Sequence, residues 1–242
     1  MKMRHYVALS IAALIIIGSF LLPDAVAGIT DMRRLNNLVL TDSGRIGFDT
    51  APELSLAQRI SLAANSNADI LPLTTGNVLD SQTAEERANS EILRFFQGGD
   101  FGFNYNNIQI SEGLSSLIID TMAPTKYMIV WEFDVVDDSG NFITLTLDDE
   151  KGVIVRLIYR LGTRDSAMIP ESHFESQDEL FFETATRISE MMTAYYGVSV
   201  VLGDYQFSGS LSYYRLDLSE GGLIVPMYGV VRAASFTINE RV

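Results

Sequence analysis

The chain of 242 residues contains no cysteine and only two histidines, His5 and His173. The absence of cysteine excludes disulfides, thiolate zinc sites, thiol nucleophiles and a lipid attached to an N-terminal cysteine. Two histidines cannot form a histidine-rich metal site. His173 has no serine or cysteine partner in a recognisable motif, so it is interpreted as a surface residue. The sequence therefore predicts no metal ligand.

Motifs for catalysis and for phosphate binding are also missing. Neither Gly-x-Ser-x-Gly nor Ser-x-x-Lys occurs, so nothing supports acyl transfer through a serine. Residues 98–102, Gly-Gly-Asp-Phe-Gly, superficially resemble phosphate-binding and kinase loops, but no GxGxxG pattern and no following Lys-Ser/Thr is present. They are interpreted as the end of a helix. We expect no catalytic residue, no cofactor and no cofactor-binding residue.

Positive charge is scarce, with 17 Lys and Arg against 31 Asp and Glu and a net charge of −14. Removing residues 1–27 takes away Lys2, Arg4 and Asp24, which leaves 15 basic and 30 acidic side chains and a net charge of −15. Such a surface repels phosphate backbones, so we expect no nucleic-acid partner. The 47% of hydrophobic residues against 20% of charged ones predicts a folded domain.

An uncharged segment near the N-terminus, residues 6–22, gives the clearest information on localisation. Its 17 residues lie at the short limit for a spanning helix, which favours an uncleaved signal anchor. The small-x-small sequence at residues 25–27, before Gly28, favours a cleaved signal peptide instead. In both cases Lys2 and Arg4 hold the amino terminus inside. We expect a single-pass cell-membrane protein with its C-terminal domain extracytoplasmic or, alternatively, a protein secreted after cleavage between Ala27 and Gly28.

The part after residue 27 divides into three stretches. Residues 28–79 are predicted to be a stalk with a short helix, in which Leu56, Ile60 and Ala63 follow helical spacing. Residues 80–165 begin with a helix whose predicted N-cap is Thr83, with Glu86 completing a capping box. Alternating side chains then predict strands, and residues 138–141 and 149–152 predict the turns between them.

Residues 166–242 repeat this order. Ser176 is the predicted N-cap of a second amphipathic helix, and Gly197 is its predicted end. Four strands are expected after it, at 198–207, 211–218, 223–228 and 230–238. The predicted fold class is therefore α+β, an N-terminal membrane segment followed by two helix-plus-antiparallel-meander units. This is a possible duplication of architecture, since no repeat is visible at the level of residues.

The hairpin Leu147-Asp148-Asp149-Glu150-Lys151-Gly152-Val153-Ile154 resembles a turn of PepSY-type extracytoplasmic domains, D-x-x-x-G followed after one residue by an apolar one. An N-terminal anchor with two tandem units of this kind is also similar to the YycH/YycI class of membrane-tethered regulators of sensor kinases. This resemblance implies a membrane-tethered regulatory domain. It assigns no functional residue.

Carboxylates and aromatic residues supply the remaining candidates. Three acidic sets could pair for acid–base or glycosidic chemistry if one member were desolvated, and they are Asp137-Asp138, Asp148-Asp149-Glu150 and Glu132 with Asp134. The first two occur at hairpin turns, where Asp bonds to local backbone, so they are interpreted as turn residues. Residues 137–141 also lack the frame of a calcium loop. Tyr213 and Tyr214 are neighbours on one strand and should point to opposite faces, so that one is exposed for a protein or peptide partner.

The sequence thus favours a membrane-associated extracytoplasmic protein that is not an enzyme. It would act by regulatory contact with a membrane or envelope protein. A secreted or surface structural protein for envelope or spore assembly is the alternative. A hydrolase of envelope polymers, using Asp148 and Asp149, is a third hypothesis.

Overall fold

A computed structural model of the protein describes residues 53–97, 107–162, 176–208, 210–232 and 234–240. Within these ranges no helix combines the length and the apolar character needed to cross a membrane. The predicted membrane segment, residues 6–22, and the predicted cleavage site between Ala27 and Gly28 lie outside the described residues.

Capping side chains set the N-terminal ends of the described helices, which are α1 (Leu56–Ala64), α2 (Ser81–Phe96) and α3 (Gln177–Tyr196). The predicted N-cap Thr83 of α2 is wrong. The Asp80 carboxylate accepts the Thr83 amide at 2.8 Å, and the Thr83 hydroxyl accepts the Asp80 amide at 3.0 Å. Because this pair closes a capping box one turn earlier, the helix begins at Ser81.

The predicted limits of α3 are confirmed. The Ser176 hydroxyl accepts the Glu179 amide at 3.2 Å, which satisfies one of the free donors of the first turn. At the other end Gly197 has a φ of 68°, the left-handed conformation that ends many helices.

The described strands form one antiparallel sheet of ten strands, ordered β1-β3-β4-β5-β6-β10-β9-β8-β7 with β2 beside β4. Their bounds are β1 (Ala68–Pro72), β2 (Ile108–Ile110), β3 (Leu114–Asp120), β4 (Tyr127–Asp137), β5 (Phe142–Asp148), β6 (Ile154–Arg160), β7 (Ser199–Ser208), β8 (Leu211–Glu220), β9 (Leu223–Arg232) and β10 (Ser235–Ile238). The predicted α+β class with antiparallel sheet is confirmed. We call β3–β6 the first meander and β7–β10 the second meander.

The predicted break between residues 228 and 230 is wrong, since β9 runs without interruption through Gly229 to Arg232. Gly229 lies directly opposite Tyr214 on β8. A Cβ at this position would collide with the Tyr214 ring and with the Thr237 carbonyl oxygen. The glycine thus permits a close approach inside a strand, a role that a sequence pattern does not distinguish from a turn.

The short strand β10 joins the two meanders. It pairs with β6, where Phe236 lies opposite Tyr159, and with β9, where Phe236 lies opposite Val231. The Tyr159 and Phe236 rings are 5.2 Å apart across this junction. The meanders therefore share one sheet and one hydrophobic core.

Helices α2 and α3 cover the same side of this sheet. Phe96 of α2 lies 5.9 Å from Tyr159, and Phe95 packs edge-on against Tyr195 of α3 at 4.9 Å. The side chains beneath these helices are apolar and buried, and they include Trp131, Phe133, Val135, Ile143, Leu145, Leu147, Leu157, Leu216, Leu218 and Phe236. Burial of this surface is the main stabilising contribution to the fold.

Helix α1 packs against β6 and β9. The Asn239 side chain, just after β10, donates hydrogen bonds to the carbonyl oxygens of Ile60 and Val155, both at 2.8 Å. This buried amide therefore fixes α1 to the strand that begins near Val155.

Candidate functional site

The two aspartates of the acidic hairpin between β5 and β6 are buried, while Glu150 and Lys151 at its tip are exposed. The Asp148 side chain is 0% exposed, and it accepts Arg59 Nη1 at 2.8 Å. Its other oxygen accepts the amides of Glu150 at 3.0 Å and Lys151 at 2.6 Å. Burial raises the pKa of Asp148, while the Lys151 amide and the Arg59 charge oppose that rise. The residue is a turn residue as predicted, and it also holds α1 through Arg59.

Asp149 fastens a different segment to the sheet. Its carboxylate accepts the amides of Asn77, Val78 and Leu79 at 2.9, 2.8 and 3.1 Å, and Trp131 Nε1 at 2.8 Å. Four donors occupy its two oxygens, which explains how a carboxylate only 2% exposed is accommodated. Asp149 therefore orders the segment that leads into α2.

The cavity beside this hairpin is small, with a volume of about 110 Å³. Ligand pockets typically measure roughly 300–1,000 Å³. Because the oxygens of Asp148 and Asp149 bond to protein donors beside so little space, the geometry supports an architectural role for both carboxylates.

The other predicted carboxylates are separate from this hairpin. Asp137 accepts the amides of Ser139 and Asn141, both at 2.9 Å, which confirms it as a turn residue. Asp134 is exposed and accepts the Thr144 hydroxyl at 2.8 Å. Across the described ranges no three acidic or histidine side chains are grouped to hold a metal ion. His173 and residues 98–102 lie outside those ranges.

The exposed side of the second meander carries a different set of residues. Tyr213 is 53% exposed and Tyr214 is 3% exposed, so the prediction that these neighbours face opposite sides is confirmed. The buried Tyr214 hydroxyl donates to the Thr237 carbonyl oxygen, and burial raises the pKa of Tyr214. On the other side, Tyr213 projects next to Arg215, two positions along β8.

Arg215 lies at the centre of an ionic cluster that spans two strands. Its Nη1 is 2.5 Å from Asp204 Oδ2, and its Nε is 3.1 Å from Asp217 Oδ1. The hydrogen bond to Asp217 and the charges of both carboxylates raise the pKa of Arg215. One guanidinium thus forms ion pairs with two carboxylates, which leaves the cluster with a net charge of −1.

Gly203 makes this cluster possible. The register of β7 against β8 shifts between Leu202 and Asp204, so that Gly203 is the extra residue of a bulge. A Cβ on Gly203 would lie 2.5 Å from Asp217 Oδ2 and 3.0 Å from Arg215 Nη2. The glycine therefore leaves room for the ionic contacts above it.

Two tyrosines flank the ionic cluster. Tyr228 of β9 is paired with Arg215 and is 43% exposed. Together with Gln206 and Tyr213 these residues line a shallow depression of about 460 Å³. We call Asp204, Gln206, Tyr213, Arg215, Asp217 and Tyr228 the tyrosine–arginine face. Exposed tyrosine and arginine side chains are enriched among the residues that dominate binding energy at protein interfaces.

Tyr213 is the one member of this face that the sequence pattern identifies. The neighbouring tyrosines give a visible signal, because successive residues of a strand must face opposite sides. Asp204 and Tyr228 lie beside Arg215 because the strands pair in a particular register. That register depends on the bulge in β7, and alternation of side chains in the sequence does not show where a bulge occurs.

No protein-family model, no curated protein and no solved structure matches the chain. The PepSY-type resemblance of the acidic hairpin therefore stays a prediction from its residues, and the function is inferred from the geometry of the chain itself.

Proposed function

We propose that the chain is a membrane-associated extracytoplasmic protein without enzymatic activity, which regulates a membrane or envelope protein by direct contact. The tyrosine–arginine face is the proposed contact surface. The observation that carries this proposal is the exposure of Tyr213 and Tyr228 on either side of Arg215, on a sheet side that α2 and α3 leave uncovered.

The chemistry of this face suits a protein partner. Tyrosine offers a large apolar ring and a hydroxyl at low cost in conformational entropy, because its side chain has only two rotatable torsions. Arg215 is already held by Asp204 and Asp217, so less side-chain freedom would be lost when a partner binds. The face is therefore partly pre-organised for contact.

The proposal includes a topology. Residues 6–22 act as a signal anchor, and the units 80–165 and 166–242 are a duplicated helix-plus-meander architecture outside the cytoplasm. The element order supports the duplication, since α2 precedes the first meander and α3 precedes the second. In this arrangement the second unit contacts the partner.

Site-specific photo-cross-linking tests the contact. A photoreactive residue replaces Tyr213 in the full-length chain in its native membrane, and a matched variant carries the same residue at Glu132, an exposed position of the first meander. We expect position 213 to yield an adduct with one membrane or envelope protein, identified by mass spectrometry, and position 132 to yield none. The same adducts from both positions, or none from either, would contradict the proposal.

The sequence at residues 25–27 favours a second candidate, a secreted or surface structural protein. Mass spectrometry of the mature N-terminus separates the two. A chain that begins at Met1 supports the tethered protein, and a chain that begins at Gly28 supports the secreted one.

A further inference from the structure

Strand β7 is the last strand at one end of the described sheet and pairs with β8 alone. Near the start of β7, side chains of α3 form hydrogen bonds with the free edge of the strand. The Val200 carbonyl oxygen accepts the hydroxyls of Ser189 at 2.8 Å and Thr193 at 3.0 Å, and the Val200 amide donates to the Thr193 hydroxyl at 3.1 Å. Side chains of the helix thus replace a neighbouring strand at this one residue.

No described residue pairs with the remainder of that edge. Peptide groups alternate along an antiparallel strand, so Leu202 faces the same edge as Val200. The extra residue at the bulge shifts this alternation, and the peptide groups of Tyr205 and Phe207 then face the free edge. Among the residues that the structure describes, none forms a hydrogen bond with these three peptide groups. An unpaired edge of this kind is a template for another strand.

An aromatic surface borders this open stretch on the side of α3. Phe182 of α3 is 48% exposed and packs edge-on against Tyr205 at 5.3 Å. Phe207 is 38% exposed and lies 6.0 Å from the buried Phe181. A strand added here would place alternate side chains against Phe182 and Phe207, and those side chains should be apolar.

The opposite side of the same stretch is acidic. Asp204 projects there with Gln206, beside the cluster in which Arg215 serves two carboxylates. The whole chain carries a net charge of −14, so a second copy would be repelled, while Lys or Arg side chains would be attracted. The side chains of an added strand that face Asp204 should therefore be basic.

We propose that the partner binds by strand addition to the open edge of β7, from Leu202 to Phe207, through an extended segment in which apolar residues alternate with Lys or Arg. The apolar residues contact Phe182 and Phe207, and the basic residues face Asp204. This inference rests on the proposed function, since it gives the chemistry of the partner at the same end of the second meander.

Two synthetic peptides test the proposal with the full-length chain in detergent. Both are eight-residue peptides with valine at alternate positions, and the other positions hold lysine in one and glutamate in the other. We expect the lysine peptide to bind and to slow hydrogen exchange at the amides of Leu202, Tyr205 and Phe207. The glutamate peptide should do neither. Asp204→Lys should weaken lysine-peptide binding by about tenfold, a loss of about 1.4 kcal/mol, while Glu132→Lys should leave it unchanged.

Four results overturn the proposal. The first is equal binding of the two peptides, and the second is binding of the lysine peptide without slower exchange at the three amides. The third is an unchanged affinity of Asp204→Lys for the lysine peptide. The fourth is exchange at the three amides that slows as the concentration of the chain increases, with no peptide present. The last result would identify a second copy as the occupant. If position 213 cross-links a partner while the three amides stay unprotected, strand addition fails and the proposed function stands. If neither is seen, both fail.

Discussion

The two meanders share one sheet and one core, yet their exposed sides differ. Both bury apolar side chains beneath a helix, Phe133 and Leu145 in the first and Leu216 and Leu218 in the second. On the exposed side the first meander shows carboxylates such as Glu132 and Asp134, and the second shows the tyrosine–arginine face. Since packing constrains both halves alike, the difference lies in residues that the fold does not require, and such residues are where a binding function is expected.

The outer strands of the sheet also differ. Beyond the first meander, β1 covers β3 over five residue pairs and ends with Pro72, which lacks an amide for further pairing. Beyond the second meander, Val200 is the one residue of β7 whose outward peptide group bonds to another residue in the described part of the chain. One end of the sheet thus presents a short outer strand that ends in proline, and the other presents a longer stretch of outward peptide groups, from Leu202 to Phe207, beside the acidic residue Asp204.

The largest effect is expected at the buried hairpin of the first meander. Asp148→Asn keeps an oxygen for the Glu150 and Lys151 amides but removes the charge that pairs with the buried Arg59. Breaking a buried pair typically costs about 3–5 kcal/mol when one charge is left uncompensated, but Arg59 keeps a second partner, the partly exposed Glu150, whose Oε2 lies 2.5 Å from Arg59 Nη2. The cost should therefore lie near the lower end of that range, about 3 kcal/mol. We expect a loss of this size in the free energy of unfolding, measured by urea denaturation. Asp134→Asn, which is exposed, is the matched control and should change stability by less than about 0.5 kcal/mol.

This hairpin also shows where sequence reasoning ends. Alternation and turn residues predict β4, β5 and β6 and the turn at Asp137, because those signals are local. The contact between Arg59 and Asp148 joins positions 89 apart, and a lone arginine on an amphipathic helix is ordinarily interpreted as solvent-facing. The pairing of β10 with β6 is missed for the same reason, since periodicity identifies strands but does not select their neighbours.

A smaller effect is expected where α2 meets α3, at the boundary between the two predicted units. The buried Tyr195 hydroxyl donates to Glu91 Oε2 at 2.6 Å and accepts the Ile154 amide at 2.8 Å. Tyr195→Phe leaves both groups without this partner, which typically costs about 1–3 kcal/mol in the free energy of unfolding. Tyr213→Phe on the exposed side is the control and should be nearly neutral.

The same variant should change how stability depends on pH. Burial raises the pKa of Tyr195 above its usual value of about 10, and the hydrogen bond with Glu91 adds to the rise. Above pH 10 the unfolded chain therefore loses this proton before the folded chain does, and stability falls as pH rises. Tyr195→Phe should make that alkaline fall shallower. An equally steep fall in the variant would show that Tyr195 does not contribute to it.

The smallest effect on stability, and the sharpest test of the comparison, is expected on the tyrosine–arginine face. Tyr213→Ala with Tyr228→Ala removes two exposed rings that the core does not use, so stability should change by less than about 0.5 kcal/mol for each substitution. Recovery of the partner identified by cross-linking should be lost, since tyrosines central to an interface commonly contribute 2 kcal/mol or more, about a thirtyfold change in affinity.

The first meander supplies the matched control, Glu132→Ala with Val136→Ala, which changes two exposed side chains on the same side of the sheet. This pair should leave both stability and partner recovery unchanged. If both double variants lose the partner equally, the contact is spread over the whole sheet and the two halves do not differ in function. If only the tyrosine variant loses it while remaining as stable as the parent, the loss cannot be attributed to unfolding, and the residues that the fold does not require are the ones that bind.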